Sequence, residues 1–185
     1  MPAPMFPAFK EWQAVVNALA SGHQTLILRK GGIAEGRGGF RPRGEPFWLL
    51  PTGFHAQADK LIPAAAPFLP VAETPALATV TLTAWAELHH HTFLDDWESV
   101  TRLAPNHLWT ETTVRERFDW TQPAGLHLLV LRVHRLETPV DFALTSAQAG
   151  CKSWVELPLD PTDLPSRPAL DDATFATAIR DLLQP

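Results

Sequence analysis

The clearest periodicity in the chain lies between Thr79 and Leu88. There Val80, Leu82, Ala84, Ala86 and Leu88 alternate with Thr79, Thr81, Thr83, Trp85 and Glu87. Successive side chains of a strand point to opposite faces, so this alternation predicts a half-buried strand. Leu126 to Leu136 is nearly all apolar and predicts a central strand that turns at Thr138 and Pro139. Two shorter runs, Thr25 to Arg29 and Phe47 to Leu50, read as buried strands, the second ending at Pro51.

Helical spacing occupies other stretches. Phe9, Trp12, Val15, Val16 and Leu19 recur at a helix period between Pro7 and Gly22, predicting an amphipathic helix from Pro7 to Ala20. Asp95, followed by Glu98, predicts a capped short helix ahead of Pro105 that buries Trp97, Val100 and Leu103. Thr110 to Trp120 predicts another, with Val114 and Phe118 on one side and Arg115 and Arg117 on the other. Asp171 to Leu183 closes the chain with a helix whose inner face is Phe175, Ile179, Leu182 and Leu183.

Strand-like segments divided by irregular or helical pieces lack the regular βαβ alternation of a parallel sheet. The expected class is α+β: a compact, mostly antiparallel β-barrel or strongly curved sheet, flanked by helices, with a C-terminal helix. One domain spans 1–185, with a core at about 6–157 and a C-terminal extension at about 158–185. Four prolines among residues 63–76 mark an irregular crossing inside it.

Composition narrows the class. A hydrophobic share of 45% and a charged share of 19% match a folded globular chain. No apolar run reaches the roughly 18 residues needed to cross a bilayer, and the start lacks a signal peptide's layout. A cytoplasmic protein without a membrane partner is expected. Cys151 is the single cysteine, which excludes an intrachain disulfide or thiolate cluster and reads as a buried filler.

Charge is unevenly spread. The net charge is −5, yet residues 1–60 carry seven Lys or Arg against four acids, leaving 61–185 at −8. Arg29, Lys30, Arg37, Arg41 and Arg43 stand within fifteen residues against one acid, Glu35. They flank a glycine-dense loop after the Thr25–Arg29 strand, bringing backbone amides and cations together as an anion would require. The loop matches neither Gly-x-Gly-x-x-Gly nor the phosphate loop ending in Gly-Lys-Ser/Thr, so a solvated hairpin is the competing reading.

Other candidates are more scattered. Trp109, beside His107 in a proline-led loop, is the tryptophan expected to be exposed; the remaining six read mostly as core. Arg132, on the apolar strand, either pairs with a carboxylate or lines a polar pocket. His89 and His91 project on one face with Asp95 near, the alternative metal site, although no His-x-x-x-His or Glu-x-x-His spacing supports it. Ser146 and Ser153 sit in no nucleophile frame.

Several segments carry a resemblance. Phe9-Lys10-Glu11-Trp12, Gly22 to Ile33, Leu50-Pro51-Thr52 with His55 and Gln57, Leu103-Ala104-Pro105 with His107 to Thr110, Glu116-Arg117-Phe118, Leu131-Arg132-Val133, and Gly150-Cys151 with Ser153-Trp154 resemble a bacterial family catalogued as a domain of unknown function (DUF1802). More distantly, a helix followed by Gly22 and by Arg29 in a strand is similar to the ASCH group of PUA-like β-barrels. Their signature is Gly-x-Lys-x-x-Glu-x-Arg, and here Gln24 and Ile27 stand at the Lys and Glu positions. The resemblance implies RNA or nucleotide binding. It does not carry over hydrolysis, because the Lys is catalytic in the hydrolytic members.

Nucleic-acid or nucleotide binding through the basic loop is the resulting expectation, with a short or single-stranded ligand. Arg29, Lys30, Arg37, Arg41, Arg43, Lys60 and Arg132 are the cationic candidates, and His55, Gln57 and Trp109 the base or sugar contacts. No cofactor is expected. The alternatives are a metal-dependent nuclease or phosphohydrolase, the one reading that needs a divalent ion, and a protein-interaction module.

Overall fold

The computed structural model describes residues 4–30, 40–53, 57–70, 79–148, 152–180 and 182–183. Seven strands form one sheet: β1 (Phe6–Trp12), β2 (Leu26–Arg29), β3 (Phe47–Thr52), β4 (Thr79–Leu94), β5 (Leu126–Ala143), β6 (Trp154–Leu157) and β7 (Ser166–Pro168). The order is β2-β5-β4-β3-β1-β6, with β7 pairing β5 off that path. The pairing is antiparallel except between β1 and β3, and among the described residues the sheet does not close into a barrel. Helices α1 (Gln13–Ala20), α2 (Gln57–Lys60), α3 (Trp97–Thr101), α4 (Glu111–Asp119) and α5 (Asp172–Arg180) flank it. The α+β class, the mostly antiparallel sheet flanked by helices and the C-terminal helix all hold.

The expected first helix is divided. Phe6 to Trp12 is a strand, and the helix begins only at Gln13. Helical spacing of the large side chains is outweighed here by pairing on both edges, with β3 on one side and β6 on the other. Trp12 has extended backbone angles, φ −57° and ψ 138°, and its backbone N–H donates to Glu11 Oε1 at 2.8 Å. The helix ends at Gly22, whose φ of +75° suits glycine.

Two strands run beyond their expected ends. β3 continues through Pro51, where it has left β4 and pairs β1 alone, so the N–H that proline lacks is not needed by β4. β5 passes Thr138 and Pro139 without turning. Between Ala84↔Arg135 and Leu82↔Val140 it carries extra residues in a bulge, and Pro139 sits there, outside the ladder. A second register shift lies between Leu88 and His90.

Each face of the sheet has its own apolar cluster. The larger gathers Phe9, Ile27, Leu49, Leu129 and Leu131 with α1, α4 and α5. The smaller gathers Ala8, Trp48, Leu50, Leu82, Trp85 and Leu157. Trp85, on the polar side of the sequence alternation, is buried because this second cluster covers it, and its indole stacks on His134 at 4.0 Å. Caps fix the helix starts: Thr110 Oγ1 accepts from Thr113 N on α4, and Asp96, one residue past the expected Asp95, accepts from Ser99 N on α3.

Candidate functional site

Strands β1, β2 and β6 and helix α4 converge at one end of the larger core. Arg29, the last residue of β2, donates to Ser153 Oγ through Nε at 3.1 Å and Nη2 at 2.7 Å, and its guanidinium lies 5.4 Å from the Phe9 ring centre. Ser153 is fully buried, and its carbonyl accepts from Lys10 N at 2.8 Å. The Phe9 ring meets Trp154 at 4.9 Å, and Arg43 covers Trp154 at 5.7 Å. Arg117 of α4 lies over Trp12 at 4.7 Å and Trp109 at 4.9 Å. Three arginines and four aromatic rings thus form one seam, assembled from residues far apart in sequence.

Electrostatics in the seam follow from burial. Arg117 is held below the usual arginine value by loss of water; Glu11 opposes that shift and Arg29 adds to it. His107 is lowered from 6.5 to about 4, first by burial and then by Arg117, so it is neutral at pH 7. Glu11 is 1% exposed, with Oε1 on the Trp12 amide and Oε2 without a partner among the described residues.

The expected site residues divide between this seam and elsewhere. Arg29 and Arg43 belong to it, and Arg43 also meets Glu45 at 3.7 Å and Glu156 at 3.4 Å. Arg41 is exposed just before Arg43. Lys30 ties down the end of α4, its ammonium donating to the carbonyls of Phe118 at 3.2 Å and Pro123 at 2.7 Å, and burial lowers its pKa. Lys60 pairs with Glu116 at 2.6 Å. Arg37 and His55 lie outside the described residues, as does Cys151, and Gln57 begins α2.

Trp109 is a correction: expected in the open, it is 1% exposed. It bridges to Leu61, and Gln24 Oε1 accepts from the neighbouring Leu108 N, so the proline-led loop is pinned into the core. Arg132 pairs with Asp172 at 2.5 Å and packs over Phe175 at 4.7 Å, which places it against the C-terminal helix. His89 meets the Phe175 ring, while His91 Nε2 and His127 Nδ1 share a hydrogen bond of 2.8 Å. Among the described residues no three His, Cys, Asp or Glu side chains gather as a metal-binding set.

A family model described as a domain of unknown function (DUF1802) matches residues 8–181. The chain belongs to the DUF1802 family. No curated protein matches this DUF1802 chain. Among solved structures, a single-substitution mutant of the ASCH protein from Zymomonas mobilis is similar at 14% identity, covering 82% of this chain and 87% of that one, with a TM-score of 0.51. The unsubstituted Zymomonas mobilis ASCH protein is also similar, at 14% identity, covering 82% of this chain and 86% of that one, with a TM-score of 0.48. The likeness to the mutant structure shows that this DUF1802 chain has an ASCH-type fold.

Sequence reasoning missed Glu11, Arg117 and Ser153 as site residues. Glu11 falls inside an expected helix, and Arg117 on the helix side opposite Val114 and Phe118. One signal was present: Phe9 to Trp12, His107 to Thr110, Glu116 to Phe118 and Ser153-Trp154, four of the segments that carry the DUF1802 resemblance, meet in this seam.

Proposed function

We propose that this protein binds single-stranded nucleic acid along the partly exposed members of the seam, Arg29, Arg43, Arg117, Trp12 and Trp154, with Phe9 and Trp109 buried beneath them as support. The observation that carries this reading is the guanidinium-over-ring packing at each arginine. Cations attract phosphate, flat rings offer faces to unstacked bases, and single strands supply both partners. An acidic chain repels a long duplex except where its basic residues cluster, which favours a short or single-stranded ligand.

Arg43 is the seam's most available cation. Its pairs with Glu45 and Glu156 are solvent-exposed and so hold it by about 1 kcal/mol or less each. A phosphate with bidentate geometry displaces such partners readily. Arg29, by contrast, spends its donors on Ser153 and shapes the surface from below.

The test is titration of the purified chain with short labelled single-stranded and duplex RNA and DNA across a salt series, with and without magnesium, followed by a check of oligonucleotide length. Single-strand binding that weakens with salt, needs no magnesium and leaves the strand intact is expected. Arg43→Ala should weaken binding uniformly across sequences and lower the salt slope by about one. Unchanged affinity in that variant removes Arg43 from the interface. Magnesium-dependent cleavage replaces this reading with a nuclease.

A further inference from the structure

Around Arg117, three buried polar atoms lack hydrogen-bond partners among the described residues: Glu11 Oε2, Trp109 Nε1 and His107 Nδ1. Their residues are 1%, 1% and 5% exposed. Folded chains satisfy nearly all such atoms, so a group of them about one point marks a place where something else completes the bonding. All three neighbour Arg117. The Trp109 ring lies 4.9 Å from its guanidinium and 5.4 Å from the His107 ring, and Glu11 holds the amide of Trp12, whose own ring lies 4.7 Å from the guanidinium.

Arg117 is itself underused. A guanidinium has five N–H donors. Among the described residues this one makes a single hydrogen bond, to the Leu28 carbonyl at 3.4 Å, and no ion pair within 4.0 Å. The unspent groups are therefore an acceptor on Glu11 and donors on Arg117 and Trp109, beside the indole of Trp12. A phosphate would meet repulsion from Glu11. A flat heterocycle with an amino group next to a ring acceptor meets the whole set.

We propose that Glu11, Arg117 and Trp109 form a recognition site for the amino-bearing edge of a nucleobase, adenine or cytosine. Glu11 Oε2 accepts from the exocyclic amino group, and Arg117 and Trp109 donate to the adjacent ring acceptor. Arg117 lies over Trp109 and is held by one long hydrogen bond and by its packing on Trp12 and Trp109, so rotation of its side chain is the movement that would open the site. Uracil, with a carbonyl where cytosine has the amino group, presents no donor to Glu11 at that position. This inference rests on the single-strand reading and deepens it from phosphate attraction to base choice.

The experiment compares short oligo(C), oligo(A) and oligo(U) on the full chain and on Glu11→Gln and Arg117→Lys, using intrinsic tryptophan fluorescence and a salt series. Circular dichroism checks that each variant folds. The unaltered chain should favour oligo(C) or oligo(A) over oligo(U) by about tenfold. Glu11→Gln should reduce that preference to about twofold or less while the salt slope stays put. Arg117→Lys keeps the charge and loses the fork, so it should reduce the preference even if Glu11→Gln fails to fold. Salt-sensitive binding with no preference in the unaltered chain overturns the base site and leaves the single-strand reading standing. A preference that survives both substitutions also overturns it, and absence of binding to every oligonucleotide overturns both.

Discussion

Arg29 and Ser153 stand 124 positions apart and are joined by two hydrogen bonds to one hydroxyl. The serine is wholly buried and the arginine partly so, and the pair clamps the end of β2 to the residue that precedes β6. Removing the hydroxyl leaves two donors of a cation without an acceptor. Ser153→Ala should cost about 1–3 kcal/mol, read from chemical denaturation. Ser153→Thr, which keeps the hydroxyl, tests whether the loss lies in the bond: a Thr variant as unstable as the Ala variant assigns it to packing instead.

His107 gives the fold a pH dependence with a definite sign. Its folded value of about 4 lies below the ordinary 6.5. Between those values the unfolded chain takes up a proton that the folded chain refuses, so stability rises with pH through this window and is complete above 6.5. The contribution is at most roughly 3 kcal/mol. Urea melts at several pH values should show the slope in the unaltered chain and a shallower one in His107→Gln; equal slopes would place the titration on another group.

Gly22 is held by conformation and by space. Its φ is +75°, and a Cβ built there would stand 2.6 Å from Leu170 Cδ2. Gly22→Ala should therefore destabilise by roughly 1–2 kcal/mol. Adding Leu170→Ala relieves the crowding and leaves the backbone strain, so the double variant should recover part of the loss measured against Leu170→Ala alone. Full additivity of the two would show that the side chains do not meet.

The C-terminal helix is fastened by its apolar side. Asp172 is 99% exposed, so its bond to Arg132 contributes little, and Asp172→Asn should shift stability by less than about 1 kcal/mol. Phe175 lies under the Arg132 guanidinium and in the core, and Phe175→Ala should cost about 3–5 kcal/mol. Thermal melts of the two variants separate these roles. A larger loss from Asp172→Asn would mean that the ion pair anchors α5.

Much of this fold can be read along the chain because local rules dominate where one face is buried. The alternation from Thr79, the apolar run from Leu126, the Val114 and Phe118 pair after Thr110, and the spacing of Phe175, Ile179 and Leu182 each lead to the element observed. The reading failed where pairing overrode pattern. Phe6 to Trp12 is flanked by strands on both sides, so its helical spacing carried no weight, and Pro139 fell in a bulge that a prediction of a turn could not anticipate. The seam was legible only in part. Arg29 and Arg43 stood out as charge, whereas Glu11 and Arg117 gain meaning from each other's burial, which no local pattern encodes. Trp109 was misjudged because its burial depends on Gln24 and Leu61, both distant in sequence.

The place of β1 between β3 and β6 sets a schedule for synthesis. A ribosome makes Arg29 and Arg43 early, yet Ser153 and Trp154 emerge only after four fifths of the chain. Long-range pairing of this kind forms slowly and late. A growing chain therefore carries Arg29 before Ser153 and Arg43 before Trp154, and acquires a shaped surface only when β6 closes against β1. Premature release, or truncation ahead of Ser153, would yield a basic but unformed segment rather than a weaker version of the finished seam.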